Sequence, residues 1–436
     1  MEEEADRISF LPEEIKISIL SRLRLKYAVR TSALARSWRR IWTLLPSLCL
    51  DRYFDPLGLP LPVWYTNDPV TPNWIERVHH LVSSLRGPLL AFRLSHNLRP
   101  DQSPLLQSLL HLLLQKGLVE TLKLYTNRGL VPVHLPPFQY VKVLELWRCN
   151  IILPPTFCGF NSLTTLVLIH VEISNHHLHL LIHASTHLTT LVLRSVTSKD
   201  SLSLNINLPL LRHLKFGIHE SAEKVSVISA PCLEQAEISI AKHTDNGSEK
   251  LPRVTLGLVT SVAMASSLHL DCDVVNFLSL VTLPFNFTFP RLRCLKLFLN
   301  IINMDKGMHD VFIWFLRCMP FLEELKVKVL QFGDNSSMQT NKVKVRELLL
   351  KKQDDISCLN QTLKSVTIGV DIADVMTSIT VVKFFLLNAK VLKLMKIRQY
   401  EFCFEPSMIM ELQKVKMASL DAKVVLFSLK GEVNVR

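Results

Sequence analysis

The hexapeptide LTTLVL occurs twice in this chain, at residues 163–168 and again at residues 188–193. Both copies follow the pattern Leu-x-x-Leu-x-Leu. Near variants recur around central residues that are spaced by 22, 22, 25, 23 and 22 positions. These central residues are Leu122, Leu144, Leu166, Leu191, Leu214 and Ala236. A fixed period of ~20–29 residues is typical of stacked-repeat proteins. The spacing therefore predicts an α/β solenoid in which each repeat contributes one short strand.

The leucine positions themselves indicate how the repeats would pack. Side chains alternate between the two faces of a strand, so the last two apolar residues of each copy point to the same side. One strand cannot bury its own leucines, and stacked coils would share a continuous core. Weaker copies centre on Phe92, Leu295, Leu325 and Val366. The array resembles the horseshoe-shaped leucine-rich-repeat solenoid, with return segments such as a helix over 176–183. A compact α/β domain with leucine-rich strands is the alternative.

The residues between the leucines are predicted to face the concave surface, where a target protein would bind. The candidate target-binding residues are Trp147, Val167, Ile169, Val192, Arg194 and Lys215. Farther along the chain the same positions carry Lys296, Phe298, Glu324, Lys326 and Lys328. An exposed Trp147 beside Val167 and Ile169 would form an apolar patch of the kind that marks partner sites. Alternatively, Trp147 folds over and packs on neighbouring strands.

The first 50 residues carry a helical pattern instead. Pro12 stands where a helix would begin, and Glu13 and Glu14 follow in the first turn, where carboxylates favour the positive helix end. An apolar stripe then consists of Ile15, Ile19, Leu20 and Leu23. Further helices are predicted over 26–36 and 38–45, before Pro46 stops them. So short a unit buries only a small core by itself and is expected to bind a partner. The alternative is that the segment is an ordinary N-terminal cap on the solenoid.

This segment resembles the F-box, the module by which ubiquitin-ligase receptors bind a Skp-type adaptor. The matching residues are Asp6, Ile8, Ser9, 11–15, 19–21, 28–32, Leu34, Trp38, Arg39, Ile41, Trp42, Leu45 and Pro46. The run AVRTS at 28–32, followed by Trp38-Arg39 and Trp42, resembles the plant branch. Arg24 stands where the F-box family usually has proline, and Tyr27 stands where it commonly has an acidic residue. The resemblance implies an adaptor-binding set of Leu11, Pro12, Ile15, Ile19, Leu20, Val29, Leu34 and Trp38.

Two weaker motifs extend the resemblance along the chain. The stretch VKFFLLNA at 382–389, with Leu392, resembles the FBD region that ends many plant F-box leucine-rich-repeat proteins, and 87–94 resembles the entry to their repeats. The C-terminal part reads as one strand–helix–strand unit capping the solenoid. The predicted domains are an F-box (1–50), a proline-rich linker (51–75), the solenoid (76–354) and an FBD-like cap (355–436). A polar stretch, Gly333 to Lys344, is predicted to be an exposed loop.

The amino-acid composition limits the classes of protein to which this chain could belong. The 436 residues are 48% hydrophobic, which suffices for a large core. The acidic start MEEEADR differs from a signal peptide, and no apolar run approaches the ~18 residues of a membrane span. The net charge of +12 is spread without a block of five basic residues, which favours a mildly basic surface over a nucleic-acid site. Nine cysteines without a Cys-x-x-Cys pair are expected to be buried reduced thiols.

The sequence shows no catalytic equipment. Only 12 glycines occur, and the sequence contains neither G-x-x-x-x-G-K nor G-x-G-x-x-G. Such glycine motifs bind the phosphates of nucleotides, so their absence argues against a kinase, an NTPase or a dehydrogenase. His179, His183 and His187 repeat at i, i+4 and i+8, so one helical face could present three imidazoles to a metal. No carboxylate or cysteine accompanies them, and partly exposed surface histidines are the preferred interpretation. No catalytic residue, metal site or cofactor is predicted.

These features predict a non-catalytic substrate receptor of a cullin–RING ubiquitin ligase. It would bind a Skp-type adaptor directly, the cullin and RING subunit indirectly, and an unknown target protein through the solenoid. No membrane partner is expected, and the protein is expected in the nucleus and/or cytoplasm. The alternatives are a plain interaction scaffold and, less favoured, a nucleic-acid-binding protein or a small-molecule sensor.

Overall fold

The computed structural model describes residues 8–51, 74–96, 98–126, 129–241, 250–300, 306–330, 355–370, 375–399, 406–428 and 431–434. The chain divides into two compact units, Met1–Ser201 and Leu202–Arg436, each with its own strands and helices. Most of the predicted linker (52–73) and the whole predicted loop Gly333–Lys344 lie outside the described ranges.

The N-terminal segment of the first unit is helical. It contains the α-helices Glu13–Ser21 and Leu25–Arg30, and the 3₁₀ turns Thr31–Ala33, Arg36–Trp38 and Ile41–Leu44. The first helix begins directly after Pro12, as predicted. The second ends earlier than predicted, and a series of 3₁₀ turns replaces the expected third α-helix. Ala35 is extended (φ −156°, ψ 161°), which interrupts the helical backbone, and Pro46 offers no amide for a longer helix.

The first unit is built on a parallel sheet. Its strands are β1 (Ser47–Asp51), β2 (Ala91–His96), β3 (Thr121–Thr126), β4 (Val131–His134), β5 (Val143–Trp147), β6 (Cys149–Ile152), β7 (Thr165–Ile169) and β8 (Thr190–Arg194). The order in the sheet is β1-β2-β3-β5-β7-β8, while β4 and β6 form a separate parallel pair. Leu122, Leu144, Leu166 and Leu191 lie in one register row. The predicted repeat register is therefore confirmed in this unit.

The return segments of the first unit also repeat. Its helices beyond the N-terminal segment are Trp74–Ser84, Ser103–Gln115 and Asn175–His183. Arg148, His170 and Ser195 each follow a strand directly and have φ values of 54°, 53° and 50°. Left-handed backbone is uncommon for residues other than glycine. Its recurrence at the same point of three coils turns the chain off the sheet in the same way each time.

The second unit continues the same plan with longer repeats. Its strands are β9 (Leu202–Asn207), β10 (His213–Ile218), β11 (Ala222–Ser229), β12 (Gln235–Ile240), β13 (Ser267–Leu270), β14 (Cys294–Asn300), β15 (Glu324–Leu330), β16 (Ser365–Val370), β17 (Leu394–Gln399), β18 (Lys423–Ser428) and β19 (Gly431–Asn434). Its helices are Lys250–Ser261, Cys272–Leu278, Lys306–Cys318, Ser357–Gln361, Val375–Asn388 and Pro406–Gln413. The sheet order is β10-β12-β13-β14-β15-β16-β17-β18-β19, and β9 pairs with β11.

Two repeat copies of the second unit were missed by the leucine pattern. Strand β13 centres on Leu268 and β17 on Met395, in register with the predicted centres of β14 to β16. Alanine at 265 and methionine at 395 replace repeat leucines there, which hid both copies. The predicted strand–helix–strand cap is present as β16, the helix Val375–Asn388 and β17. The prediction of a single strand–helix–strand unit was too short, because the sheet continues from β17 to β18 and then to β19. Strand β19 pairs with β18 in the antiparallel direction.

The core lies on the leucine side of the strands. Leu144, Leu166, Leu191, Leu295 and Leu325 are completely buried, whereas the residues that alternate with them are half-buried or exposed. The strands thus have one packed face and one accessible face. Among the described residues, no helix combines the length and apolarity needed to cross a membrane.

Candidate functional site

The N-terminal segment folds around a small core of its own. Leu20, Ala28, Trp38, Ile41 and Leu45 are buried together, and Ile17, Leu25, Ala35 and Trp42 pack against them. The short helices therefore need no partner to bury these side chains. The remaining apolar residues of the segment are available for another purpose.

Exposed apolar side chains are concentrated in this segment. Of the 21 large apolar side chains that are exposed among the described residues, eight lie between residues 8 and 34. They are Ile8, Phe10, Ile15, Ile19, Leu23, Tyr27, Val29 and Leu34. Phe10 and Leu34 are the most accessible, at 83% and 70%. Isolated surface apolar residues are ordinary, but such a concentration marks a protein-docking surface.

The eight residues predicted to contact an adaptor divide into two groups. Pro12, Ile15, Ile19, Val29 and Leu34 are exposed, and Leu11 is partly exposed. Leu20 and Trp38 are buried, at 0% and 3% exposure. Contact of these two with an adaptor stays a prediction, and in the folded chain their side chains fill the core beneath the exposed residues.

Lys16 is a residue of this segment that the sequence reasoning missed. Its side chain is buried, its Nζ donates a hydrogen bond to the Ser9 carbonyl at 2.8 Å, and it lies 5.7 Å from the centre of the Trp38 ring. Lys16 thereby ties the chain before Pro12 to the first helix and to the core. A lysine within an otherwise apolar helix face was the only available signal.

The strand face of the first unit brings together five of the six candidate target-binding residues. Trp147, Ile169 and Arg194 form one register row across β5, β7 and β8, and Val167 and Val192 are neighbours in the next row. All five are half-buried. Trp147 packs on Tyr125, with ring centres 5.2 Å apart. It therefore lies over the neighbouring strand while remaining partly accessible.

Charged and polar groups on this face contact one another around Glu145 and Tyr125. Lys123 Nζ lies 2.7 Å from Glu145 Oε1, the Tyr125 hydroxyl donates to Glu145 Oε2, and the Arg93 guanidinium lies 5.4 Å from the Tyr125 ring centre. Burial, followed by the hydrogen bond and charge of Glu145, raises the pKa of Tyr125 above its ordinary value of 10.0. Tyr125 is therefore a neutral hydroxyl at physiological pH. The sequence reasoning missed the contact between Tyr125 and Glu145.

Lys215, the sixth candidate, belongs to the second unit. It is exposed on β10, and its Nζ lies 2.9 Å from Glu237 Oε2 on the adjacent strand β12. His269 Nδ1 lies 3.9 Å from the same carboxylate oxygen. Lys215 is thus part of a local charge cluster on the accessible face of its own unit.

The structure tests whether His179, His183 and His187 could hold a metal ion together. The helix ends at His183, so His187 does not continue its face. His179 and His183 stack with ring centres 5.4 Å apart and planes 2° apart. Among the described residues, no group of three or more His, Cys, Asp or Glu side chains has an arrangement that could hold a metal ion.

The cysteines are more accessible than expected. The eight in the described ranges are all free thiols, but Cys49, Cys158 and Cys232 are exposed. Cys149 is completely buried, and burial raises its pKa to about 12, which keeps it protonated. The expectation of uniformly buried thiols was therefore wrong.

Comparison with known proteins agrees with this geometry. The family model described as "FBD-associated F-box protein At5g56370, LRR repeats" matches residues 106–327, slightly more than half of the chain. The chain belongs to this family. An F-box domain model matches residues 8–50 and an FBD model matches residues 352–397. The predicted succession of F-box, leucine-rich repeats and FBD region is confirmed. None of the three models describes an enzymatic domain.

The relatives are plant proteins. The F-box/FBD/LRR-repeat protein At1g13570 of Arabidopsis thaliana is 30% identical over 249 residues, which cover 56% of each chain. The F-box/FBD/LRR-repeat protein At3g26920 of the same plant is 31% identical over 231 residues, or 51% of this chain and 49% of the relative. The putative FBD-associated F-box protein At1g55030 is 25% identical over 346 residues, covering 76% of each. The chain spans about half the length of the first two curated relatives.

Proposed function

We propose that this FBD-associated F-box protein is the substrate-recognition subunit of an SCF-type cullin–RING ubiquitin ligase. The F-box segment binds a Skp-type adaptor, and the accessible faces of the strands capture a target polypeptide. The cullin and its RING subunit are reached through the adaptor. The chain itself contributes proximity, because holding the target raises the local concentration of its lysines near the activated ubiquitin. Its proposed location is the nucleus and/or cytoplasm.

One observation carries the adaptor part of the proposal. The F-box segment closes a core of its own yet leaves exposed Phe10, Ile15, Ile19, Val29 and Leu34 within a stretch of 25 residues. Burying a large apolar side chain is worth about 1.5–3 kcal/mol. Covering several of them with a complementary groove supplies the free energy of a stable complex. The F-box match over residues 8–50 supports a Skp-type adaptor as the partner class.

The plain scaffold is the competing function, and a matched pair of variants separates the two. Ile15→Ala/Leu34→Ala removes two exposed side chains of the F-box segment. Ile228→Ala/Leu280→Ala removes the same two residue types elsewhere, at 65% and 68% exposure. Affinity of the purified chains for a Skp-type adaptor is measured by isothermal titration calorimetry, and folding by thermal unfolding.

We expect the F-box variant to bind about 30- to 100-fold more weakly, because two interface side chains contribute about 1 kcal/mol or more each. The control should bind as the unchanged chain does, and both should unfold at nearly the same temperature. Absence of adaptor binding by the folded, unchanged chain refutes the receptor function. Equal weakening in the control variant also refutes the assignment of the docking surface.

A further inference from the structure

The F-box segment is as unusual in its charge as in its exposed apolar side chains. Residues 15–50 contain eight lysine and arginine residues and no aspartate or glutamate. Glu13 and Glu14 lie just before this stretch and Asp51 just after it, so residues 8–51 have a net charge of +5, from eight cations and three carboxylates. The whole chain of 436 residues has a net charge of +12. The positive charge is therefore concentrated in this segment.

Most of these cations are exposed and have no carboxylate partner. Lys16 is buried, whereas the other seven are exposed, namely Arg22, Arg24, Lys26, Arg30, Arg36, Arg39 and Arg40. Within the part of the chain that the structure describes, none of these seven side chains forms a salt bridge or a hydrogen bond. Elsewhere in the first unit, lysines pair with a carboxylate of the adjacent coil, as in Lys123–Glu145 and Lys142–Glu120. The charges of the F-box segment are thus not neutralised in the same way.

The helix ends explain only two of the seven charges. Arg22 caps the C-terminus of the first helix of the segment, and Arg30 is the last residue of the second. Cations are favourable there, because the carbonyl end of a helix carries a partial negative charge. Arg24 and Lys26 lie instead at the start of the second helix, where a positive charge is unfavourable. The remaining three lie in or next to 3₁₀ turns. Local stability therefore gives no reason for five of the charges.

The exposed cations alternate with the exposed apolar side chains of the same segment. Leu23 lies between Arg22 and Arg24. The Arg30 guanidinium lies 6.0 Å from the centre of the exposed Tyr27 ring. A partner that covers the apolar side chains therefore comes within reach of the cations as well.

We propose that the adaptor surface that receives the F-box segment is acidic, and that the attraction between its carboxylates and these cations sets the rate of association. The inference rests on the proposed receptor function, because it describes the partner of the same surface. Six of the seven exposed cations are arginine, whose planar guanidinium can form two parallel hydrogen bonds to one carboxylate. Apolar burial supplies most of the affinity, whereas charges around an apolar contact steer the two proteins together.

An acidic protein fits this surface better than a nucleic acid does. Six of the eight exposed apolar side chains of the segment are aliphatic. Single-stranded nucleic acids bind where cations accompany aromatic side chains on which the bases stack, and a phosphate backbone does not bury isoleucine or leucine. An apolar groove with carboxylates at its edge satisfies both the aliphatic side chains and the cations.

The test measures the association rate constant of the full chain with a purified, fluorescently labelled Skp-type adaptor by stopped-flow. The salt concentration is varied from about 50 to about 500 mM sodium chloride, across which the screening length falls severalfold. Two variants each remove two exposed cations of the segment, and they are Arg24→Gln/Lys26→Gln and Arg39→Gln/Arg40→Gln. The matched control Arg253→Gln/Lys390→Gln removes one arginine and one lysine from exposed positions of the second unit. Thermal unfolding checks that every variant is folded.

We expect the association rate constant of the unchanged chain to rise at least about tenfold as the salt concentration falls over this range. Each F-box variant should associate about three- to tenfold more slowly at low salt, with a smaller salt dependence and a nearly unchanged dissociation rate. The control should associate as the unchanged chain does. Ile15→Ala/Leu34→Ala should weaken the complex but keep the salt dependence, because it removes apolar contacts without changing charge.

Three results would overturn the inference. An association rate that does not depend on salt, or equal slowing in the control, would do so while leaving the receptor function intact. Absence of adaptor binding by the unchanged chain would overturn both together. Displacement of the adaptor by a single-stranded oligonucleotide that binds the segment more tightly would assign the cations to nucleic acid. If the charge variants do not fold, the salt series of the unchanged chain and of the control still decides.

Discussion

The accessible strand faces of the two units have opposite characters on the same backbone plan. In the first unit, Lys123 is paired with Glu145, and Tyr125 and Trp147 stack beside half-buried valines and Ile169. Among the described residues of the second unit, β14 to β17 gather five cations and the carboxylate of Glu324. The first face combines aromatic and apolar side chains with the Lys123–Glu145 ion pair, whereas the described residues of the second face gather five cations.

This difference shows that the inward and outward faces of each strand have separate roles. In each unit the inward strand residues are mostly leucine, isoleucine or valine, with Phe92, Ala236 and Met395 among the exceptions, and they form the core. The outward residues do not enter that core, so their charge and size can differ between units without changing the strand plan. The first unit's face presents aromatic and aliphatic side chains, and the second presents mainly lysine and arginine.

The largest expected effect concerns inward and outward neighbours in the same strand. Leu166→Ala in the first unit and Leu295→Ala in the second should each lower the free energy of unfolding by about 2–5 kcal/mol, because each leaves a cavity in the core. The adjacent outward changes Val167→Ala and Lys296→Ala should cost about 1 kcal/mol or less. Urea denaturation measures all four. An outward substitution that lowers the free energy of unfolding as much as its inward neighbour does would contradict these separate roles.

A smaller, pH-dependent effect is expected in the second unit. Asp271 follows β13 and accepts hydrogen bonds from the Val274 and Ile240 amides, both at 2.9 Å. Burial outweighs these donors and raises its pKa from 3.8 to about 6. The folded chain therefore keeps a proton that the unfolded chain releases between these values. The resulting stabilisation is complete below pH 3.8 and is lost as the pH rises through 6.

The loss amounts to about 3 kcal/mol at most, since one pKa unit corresponds to about 1.4 kcal/mol. Asp271→Asn should remove this part of the pH dependence of unfolding, measured by urea denaturation from pH 3.5 to 7. Asp101→Asn, at an exposed position of the first unit, should leave it unchanged. A persistent slope in Asp271→Asn would contradict the assignment.

The smallest effect compares two ion pairs of the first unit that have the same length. Lys123–Glu145 and Lys142–Glu120 are both 2.7 Å, but the Glu145 side chain is 18% exposed and the Glu120 side chain 42%. Glu145→Gln should lower the free energy of unfolding by about 1–2 kcal/mol, because it weakens contacts to Lys123 and Tyr125 in a partly buried setting. Glu120→Gln should cost under about 1 kcal/mol. Similar losses would show that the strand-face network stabilises no more than a surface pair.

Much of the fold followed from regular leucine spacing. Leu122, Leu144, Leu166 and Leu191 were predicted as repeat centres and lie in one register row. The copies at Leu268 and Met395 were missed because alanine or methionine can fill a leucine position in a packed core with little change in the backbone. The short 3₁₀ turns before Pro46 were missed because an apolar periodicity does not distinguish them from an α-helix.

The candidate sites were only partly predictable. The apolar pattern of residues 11–38 indicated docking, but it could not show that Leu20 and Trp38 are buried while Ile15 and Leu34 are exposed. That division depends on which side chains the short helices turn inward. The sequence likewise showed a net charge of +12 without any basic block, although the structure collects five cations in one groove.

By itself, the sequence determined the repeating strands, their inward leucines and the helical segment at the front, because these depend on residue patterns within about 25 positions. Only the tertiary structure decided which distant residues become neighbours. Phe298, Lys328, Gly369, Arg398 and Phe427 are separated by 29 to 41 residues along the chain, yet they form one row. Parallel pairing brings them together, since stacking coils converts equivalent positions of successive repeats into adjacent positions on a surface.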